Sequence, residues 1–343
     1  MPRRKTTSKK KRGSGGIVFI LLLLLAGAGA AAWVVVTPFG PSTETFVEVT
    51  PGSSTAHIGE LLEQAGIIRT RYVFDAMRFV LPGTLKAGEY RFDRPEPMTE
   101  VWRRIERGDV YTIAITIPEG ANVFDIAQRL EEAGFGTRQQ FLDMQAQEAN
   151  LIQDLDPAAK NLEGYLFPDT YRFPRKATSV EIVTAMVKRF RSQATQLGLT
   201  ANVHEVVTLA SLVERETAVD GERPLVASVF ENRLAKSMPL MTDPSVIYGL
   251  ELSKQWRGQI YASDLKLDTP YNTYLHAGLP PGPVANPGAK ALRAAMNPAK
   301  TDYLYFVAAG SDAQGKSLFA TSLEEHEKNV AGYRLAMKQA GGR

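Results

Sequence analysis

The sequence predicts an α+β protein: one N-terminal apolar helix, a small α+β module, and a larger α+β domain with a helix that carries a candidate catalytic carboxylate. Three observations predict it. A charge-free run extends from Ile17 to Val36. A strand, glycine turn and amphipathic helix occur twice at a constant offset of 68 residues. Past residue 179, helical periodicity dominates until a late hairpin signal. A length of 343 residues, at roughly 150 residues per domain, suits two domains and a tether. With 44% apolar and 22% charged residues, a mainly disordered chain is excluded.

The N-terminal element comes first. Residues 1–16 form a basic tail, with Arg3, Arg4, Lys5, Lys9, Lys10, Lys11 and Arg12 and no acid. The net charge of +3 therefore divides into +7 on this tail and −4 on the body, which has 33 basic against 37 acidic residues. A mildly acidic body gives no electrostatic footprint for nucleic acid. Residues 17–36 are about long enough to cross a bilayer as a helix, and Trp33 stands where an aromatic belt forms. No Lys or Arg follows until Arg69. Retention of positive charge in the cytoplasm then places the tail inside and the body outside. A cleaved signal peptide, with Ile17–Leu25 as its apolar stretch and Ala26-Gly27-Ala28 as its cleavage site, is the alternative. The continuation through Trp33 to Val36 favours an uncleaved anchor, and either reading exports the body.

Residues 37–45, with Pro38 and Pro41, read as a linker. Residues 46–112 form the small module and residues 113–343 the larger domain. Val49, Gly52, Ile58, Leu62 and Gly66 are matched by Ile117, Gly120, Ile126, Leu130 and Gly134. A second echo pairs Glu89-Tyr90-Arg91-Phe92 with Thr170-Tyr171-Arg172-Phe173. Two copies are too few for a solenoid. A module of this size suits polymer binding or a spacer. Helices are expected over Ser179–Arg191 and through Asn202–Lys236, with a capping box from Asn202 to Glu205 and Pro224 in the first turn of a further helix. Residues 238–290, rich in Pro, Gly, Tyr and Asn, read as a long irregular binding stretch. Tyr303–Val307 and Ser317–Phe319 read as a hairpin, and Leu323–Met337 as a last helix.

Most site chemistries are excluded. Without cysteine there is no thiol catalysis, disulfide or Cys-ligated zinc. His204-Glu205 lacks the second histidine of a zinc helix, and no nucleophile elbow or phosphate loop occurs. No metal or cofactor is expected, and the four histidines are scattered. Carboxylates remain. Glu214 and Glu216 end an apolar helix and lie about 200° apart on it. Glu216 continues the stripe of Leu209, Leu212 and Val213. Desolvation there would raise its pKa and keep it protonated, as a general acid requires. Pattern alone leaves open that both glutamates are solvated.

Several ordered motifs carry a family resemblance. They are Leu209-Ala-Ser-Leu-Val-Glu-Arg-Glu-Thr217, Asn161-Leu-Glu-Gly-Tyr-Leu-Phe-Pro-Asp-Thr-Tyr171, Ala227-Ser-Val-Phe-Glu-Asn-Arg-Leu234, Thr242-Asp-Pro-Ser-Val-Ile-Tyr-Gly249, Tyr271-Asn-Thr-Tyr274, and Gly278-Leu-Pro-Pro-Gly-Pro283 through Asn286-Pro-Gly288. Together they resemble the MltG (YceG-like) endolytic murein transglycosylases. The resemblance implies a single-pass bacterial inner-membrane protein with a LysM-like module and a periplasmic catalytic domain. It implies cleavage of the MurNAc-β-1,4-GlcNAc bond within nascent peptidoglycan strands to leave 1,6-anhydroMurNAc ends. It also ties the chain to peptidoglycan synthases. It implies Glu216, the glutamate followed by Thr, as the catalytic residue, in agreement with the helix-face argument. Thr217, Glu163, Asp243, Tyr271, Asn272 and Tyr274 are then candidate substrate contacts, with loop-fixing hydrogen bonds as the alternative for each. A non-catalytic, membrane-anchored peptidoglycan-binding scaffold and a hydrolytic muramidase are the rival functions.

Overall fold

The computed structural model describes residues 14–81, 83–310 and 315–340. The basic residues of the tail lie outside them. The first helix, α1 (Ser14–Val36), has no charged residue and is long and apolar enough to cross a membrane. The chain divides into two compact units, Met1–Thr112 and Ile113–Arg343.

The first unit folds as β1 (Thr45–Val49), α2 (Thr55–Gln64), α3 (Arg71–Met77), β2 (Gly88–Phe92) and α4 (Met98–Arg107). Alternation along β1 buries Val47 and Val49, as expected for a strand with one face on a core. Trp102 of α4 lies 5.1 Å from Phe74 of α3, ring to ring, and both are fully buried. Val34 and Val35, in the last turn of α1, pack on this core. Residues 37–45 are not a free linker. Phe39 exchanges both backbone hydrogen bonds with Glu96, and the Arg69 guanidinium lies 4.8 Å from the rings of Trp33 and Phe39 while donating to the Thr37 carbonyl at 3.1 Å. A half-buried arginine with aromatic and carbonyl partners turns this stretch into a pinned strap.

The second unit begins by repeating the first. Here β3 (Ile113–Thr116), α5 (Val123–Glu132), α6 (Arg138–Gln147) and β4 (Thr170–Phe173) follow in the same order. The boundaries of α5 are those of α2 displaced by 68 residues. Strand pairing repeats as well: Val47 faces Tyr90 in β1–β2, and Ile115 faces Tyr171 in β3–β4, both antiparallel. Each tyrosine hydroxyl donates to the carbonyl four residues before it, Tyr90 to Lys86 at 2.7 Å and Tyr171 to Phe167 at 2.5 Å. The turn glycines Gly52 and Gly120 have φ of 83° and 78°, the left-handed region a Cβ disfavours. The copies differ in surroundings. A Cβ at Gly52 would meet nothing, whereas one at Gly120 would lie 3.5 Å from Arg215 and Glu214. The second turn is packed into its domain.

Helices complete the unit: α7 (Ser179–Leu197), α8 (Val203–Glu216), α9 (Arg223–Ala235), α10 (Asp243–Leu252) and α11 (Ala289–Met296). The antiparallel hairpin β5 (Tyr305–Ala308) and β6 (Ser317–Ala320) and the helix α12 (Leu323–Ala340) follow. All residues from Val207 to Val213 are buried, so α8 is the central helix, packed on α9, α10 and α11. Two expectations change. Asn202 precedes α8, but its backbone is left-handed (φ 51°, ψ 38°) and its side chain makes no cap hydrogen bond. A capping box needs an extended residue there. Residues 238–290 hold α10 rather than being irregular throughout. Pro244 sits in the first turn of α10, where its fixed φ favours helix.

Glycine at 164 is required. Its φ is +88°, and a Cβ would fall 2.5 Å from Pro283 and 2.8 Å from Val207 of α8. Gly164→Ala should lower unfolding free energy by about 2–4 kcal/mol, measured by chemical denaturation.

Candidate active site

The two carboxylates that end α8 have opposite environments. Glu214 is enclosed, with 4% of its side chain exposed, and its Oε1 accepts from Arg223 at 2.8 Å. Its Oε2 accepts from the Gly288 amide at 2.9 Å. Arg223 is itself buried and also pairs with Asp220. Glu214 is therefore a neutralised structural ion. A sequence stripe alone placed it on the less apolar face, yet its side chain is enclosed, because a buried cation and an amide compensate its desolvation.

Glu216 has no such partner among the described residues. It opens into a cleft of about 390 Å³ lined by Phe230, Arg233, Leu240, Met241, Thr242, Asp243, Tyr274, Tyr305, Phe306, Leu323 and His326. Burial pushes its carboxyl up to about 7, and the Asp243 charge acts in the same direction against Arg233 and Arg215. Its place in the last turn of α8, at the negative end of the helix dipole, also disfavours ionisation. Asp243 starts α10 and accepts from the Tyr274 hydroxyl at 2.7 Å. The cleft thus combines a carboxylic acid that holds its proton near neutrality with a fixed carboxylate, an arrangement able to donate a proton and then take one back.

Of the residues singled out in the sequence, the cleft brings together Glu216, Asp243 and Tyr274. Four others lie outside its lining. Asn272 is fully buried. Its amide donates to the Leu265 and Leu267 carbonyls at 3.1 and 2.8 Å, and its oxygen accepts from the Tyr274 amide at 3.0 Å. It shapes the loop that presents Tyr274. Thr217 is the C-cap of α8, and its hydroxyl accepts from the Val219 amide at 3.1 Å. Tyr271 packs its ring 5.0 Å from Tyr248. Glu163, 1% exposed, accepts from the Val123 amide at 2.9 Å and from the Asn286 side chain at 2.8 Å. Burial pushes it up to about 8. Hydrogen bonds within the chain occupy the polar groups of Asn272, Thr217 and Glu163.

Asn286 belongs to a strap that ties the repeated βααβ element to α8. Its side chain donates to the Ala121 carbonyl at 2.9 Å and accepts from the Leu166 amide at 2.8 Å. Nearby, the Val284 amide donates to Ser211 of α8 at 3.0 Å. Arg215, next to Glu216, donates to the Gly120 carbonyl at 3.1 Å. The turn that is open in the first copy here clamps the end of the α8 helix.

Three cleft residues escaped the sequence reading. Arg233 donates to the Leu304, Pro239 and Leu240 carbonyls at 2.7, 3.3 and 2.8 Å. Tyr305 lies 5.2 Å from that guanidinium, and His326 stacks on Tyr305 at 5.1 Å. Arg233 stood inside a quoted motif, which was a usable signal. His326 follows Glu216 by more than a hundred residues, and no local pattern connects them.

Residues 47–332 match the family described as YceG-like. The chain is 34% identical over 307 residues to a protein of Bacillus subtilis named an endolytic murein transglycosylase, spanning 83% of this chain and 84% of the relative. A protein of Streptococcus pneumoniae with the same name is 31% identical, over 83% of this chain but only 57% of the relative's length. A crystal structure of a YceG-like protein from Listeria monocytogenes is 32% identical, covers 84% of this chain and 99% of that one, and superposes with a TM-score of 0.54.

The two glutamates should separate by stability. Glu214→Gln leaves the buried Arg223 without its enclosed charge partner and should cost about 3–5 kcal/mol. Glu216→Gln should do the reverse. A carboxyl raised in the folded state keeps its proton between about pH 4.5 and 7 while the unfolded chain ionises, so the wild type loses stability as pH rises through that window. The variant should become more stable than wild type there, by on the order of 2 kcal/mol at pH 7.5, as read from melting curves across pH.

Proposed function

The chain belongs to the YceG-like family, and from that premise we propose that it is an endolytic murein transglycosylase with Glu216 as both its acid and its base. The observation that carries this reading is a single carboxylic acid, without an ion-pair partner among the described residues, whose proton burial holds up to about pH 7 inside a cleft. Glu216 protonates the glycosidic oxygen between MurNAc and GlcNAc, and the bond from that oxygen to C1 breaks. The Glu216 carboxylate then takes the proton from the muramyl C6 hydroxyl, and O6 bonds to C1. One proton is given and one is recovered, no water is consumed, and a 1,6-anhydro end remains. Most glycosidases need a second carboxylate to act as nucleophile or to activate water. Here the substrate supplies the nucleophile. The fixed charge of Asp243, held by Tyr274, stabilises the positive charge that develops at C1. Glu163, Asn272, Thr217 and Tyr271 support this site from behind.

We assign the first unit's βααβ element and α4, residues 46–112, as a LysM-like module that holds glycan near the enzyme. We assign α1 as an uncleaved anchor in the inner membrane, with the basic tail cytoplasmic and the chain after α1 on the periplasmic side. This position suits action on strands emerging from the peptidoglycan synthases.

Glu216→Gln should release no 1,6-anhydromuramyl ends from glycan strands, read by mass spectrometry, while remaining folded. Wild-type activity in that variant would remove the assignment. Reducing ends from the wild type would show a muramidase, and no product with intact glycan binding would show a scaffold. The rate of the wild type should fall as pH rises through about 7, where Glu216 loses its proton. For topology, a reporter fused after residue 45 should be active only outside the cytoplasm.

A further inference from the structure

We propose that His326, delivered by α12, contacts the substrate in the Glu216 cleft, its Nε2–H donating to an acceptor oxygen of the glycan such as the acetamido carbonyl. The inference rests on the reading of this cleft as a glycan site. His326 lines the cleft together with Glu216, Asp243 and Tyr274. Its ring is held by stacking on Tyr305, with 5.1 Å between centroids and 20° between planes. Tyr305 in turn lies beside Arg233, whose Nε and Nη1 are committed to backbone carbonyls. The rotamer is thus set by neighbours that are themselves fixed.

The two ring nitrogens are not equivalent. Nδ1 is shut away from solvent and has no hydrogen-bond partner among the described residues. A proton on Nδ1 would be an orphaned buried donor, which folded chains avoid. The tautomer that carries its proton on Nε2, the accessible nitrogen, leaves only a lone pair enclosed. Burial and the Arg233 charge also hold the imidazole below its ordinary pKa, so the ring offers a neutral donor. The Tyr274 hydroxyl is already committed to Asp243, and Glu216 is reserved for proton transfer. His326 supplies a donor that can be kept for positioning. N-acetylated sugars carry a strong amide acceptor, which a neutral N–H can bind without displacing the proton on Glu216.

Two variants separate a donor from a packing residue. His326→Phe keeps an aromatic ring over Tyr305 and removes the nitrogen. His326→Gln loses the ring but restores an N–H. With the full-length protein in detergent and uncrosslinked glycan strands, His326→Phe should raise KM by about 5- to 10-fold with kcat little changed and the melting temperature retained. His326→Gln should recover most of that loss. Wild-type kinetics in His326→Phe, or no recovery in His326→Gln, would overturn the proposal. In the unmodified protein, nitrogen NMR should show the Nε2–H tautomer and a shift on adding a chitin oligomer. An Nδ1–H tautomer, or no shift at saturating oligomer, would also overturn it. The oligomer experiment needs no turnover, so it is readable even if the transglycosylase assignment fails for lack of anhydro product.

Discussion

The last turn of α8 is where the second unit converges, and it is fixed by neutralising one glutamate while denying the other a partner. Glu214 is enclosed with Arg223 and the Gly288 amide. That pair anchors α8 to α9 and to the strap before α11. An ion pair inside a protein adds little net stability over apolar packing, but loss of one member is severe. Such a pair holds geometry. Two residues on, Glu216 comes to the cleft in a set position, where burial and the Asp243 charge hold its proton.

The internal repeat acquires a purpose in this light. Both copies have the same strand register and the same tyrosine hook to a carbonyl four residues earlier. In the first copy the glycine turn is open. In the second, Asn286 and Arg215 engage that turn, with Asn286 bonded to Ala121 and Arg215 to Gly120. Glu163 accepts from the first amide of α5 and from Asn286. One architecture thus packs beside α1 in one unit and supports the helix that carries Glu216 in the other. The resistance of Glu163 to ionisation suits this work. A protonated carboxyl can donate as well as accept within a closed polar network, without the cost of a buried charge.

Much of this was legible in the residues. The offset of 68 located two strands and two helices, because core positions and turn glycines recur together. The stripe of Leu209, Leu212 and Val213 pointed at Glu216, because desolvation follows an apolar face. Other parts were not legible. The sequence stripe could not show that the Glu214 side chain would be enclosed, since its partners Arg223 and Gly288 arrive from other elements. Asn272 and Glu163 carry the chemistry of sugar contacts, yet their hydrogen bonds close inside the chain. Polarity in a motif does not tell which way a side chain faces.

The sequence by itself determined the α+β class, the apolar helix at the start, the duplicated element and the apolar helix face that Glu216 continues. Each of these is written in local periodicity or composition, which a helix or strand converts directly into a face. Only the tertiary structure decided which groups surround Glu216. Asp243, Arg233, Tyr305 and His326 come from α10, α9, β5 and α12. Their approach sets the desolvation and the field that hold the proton, and those depend on distances between residues that lie far apart in the chain.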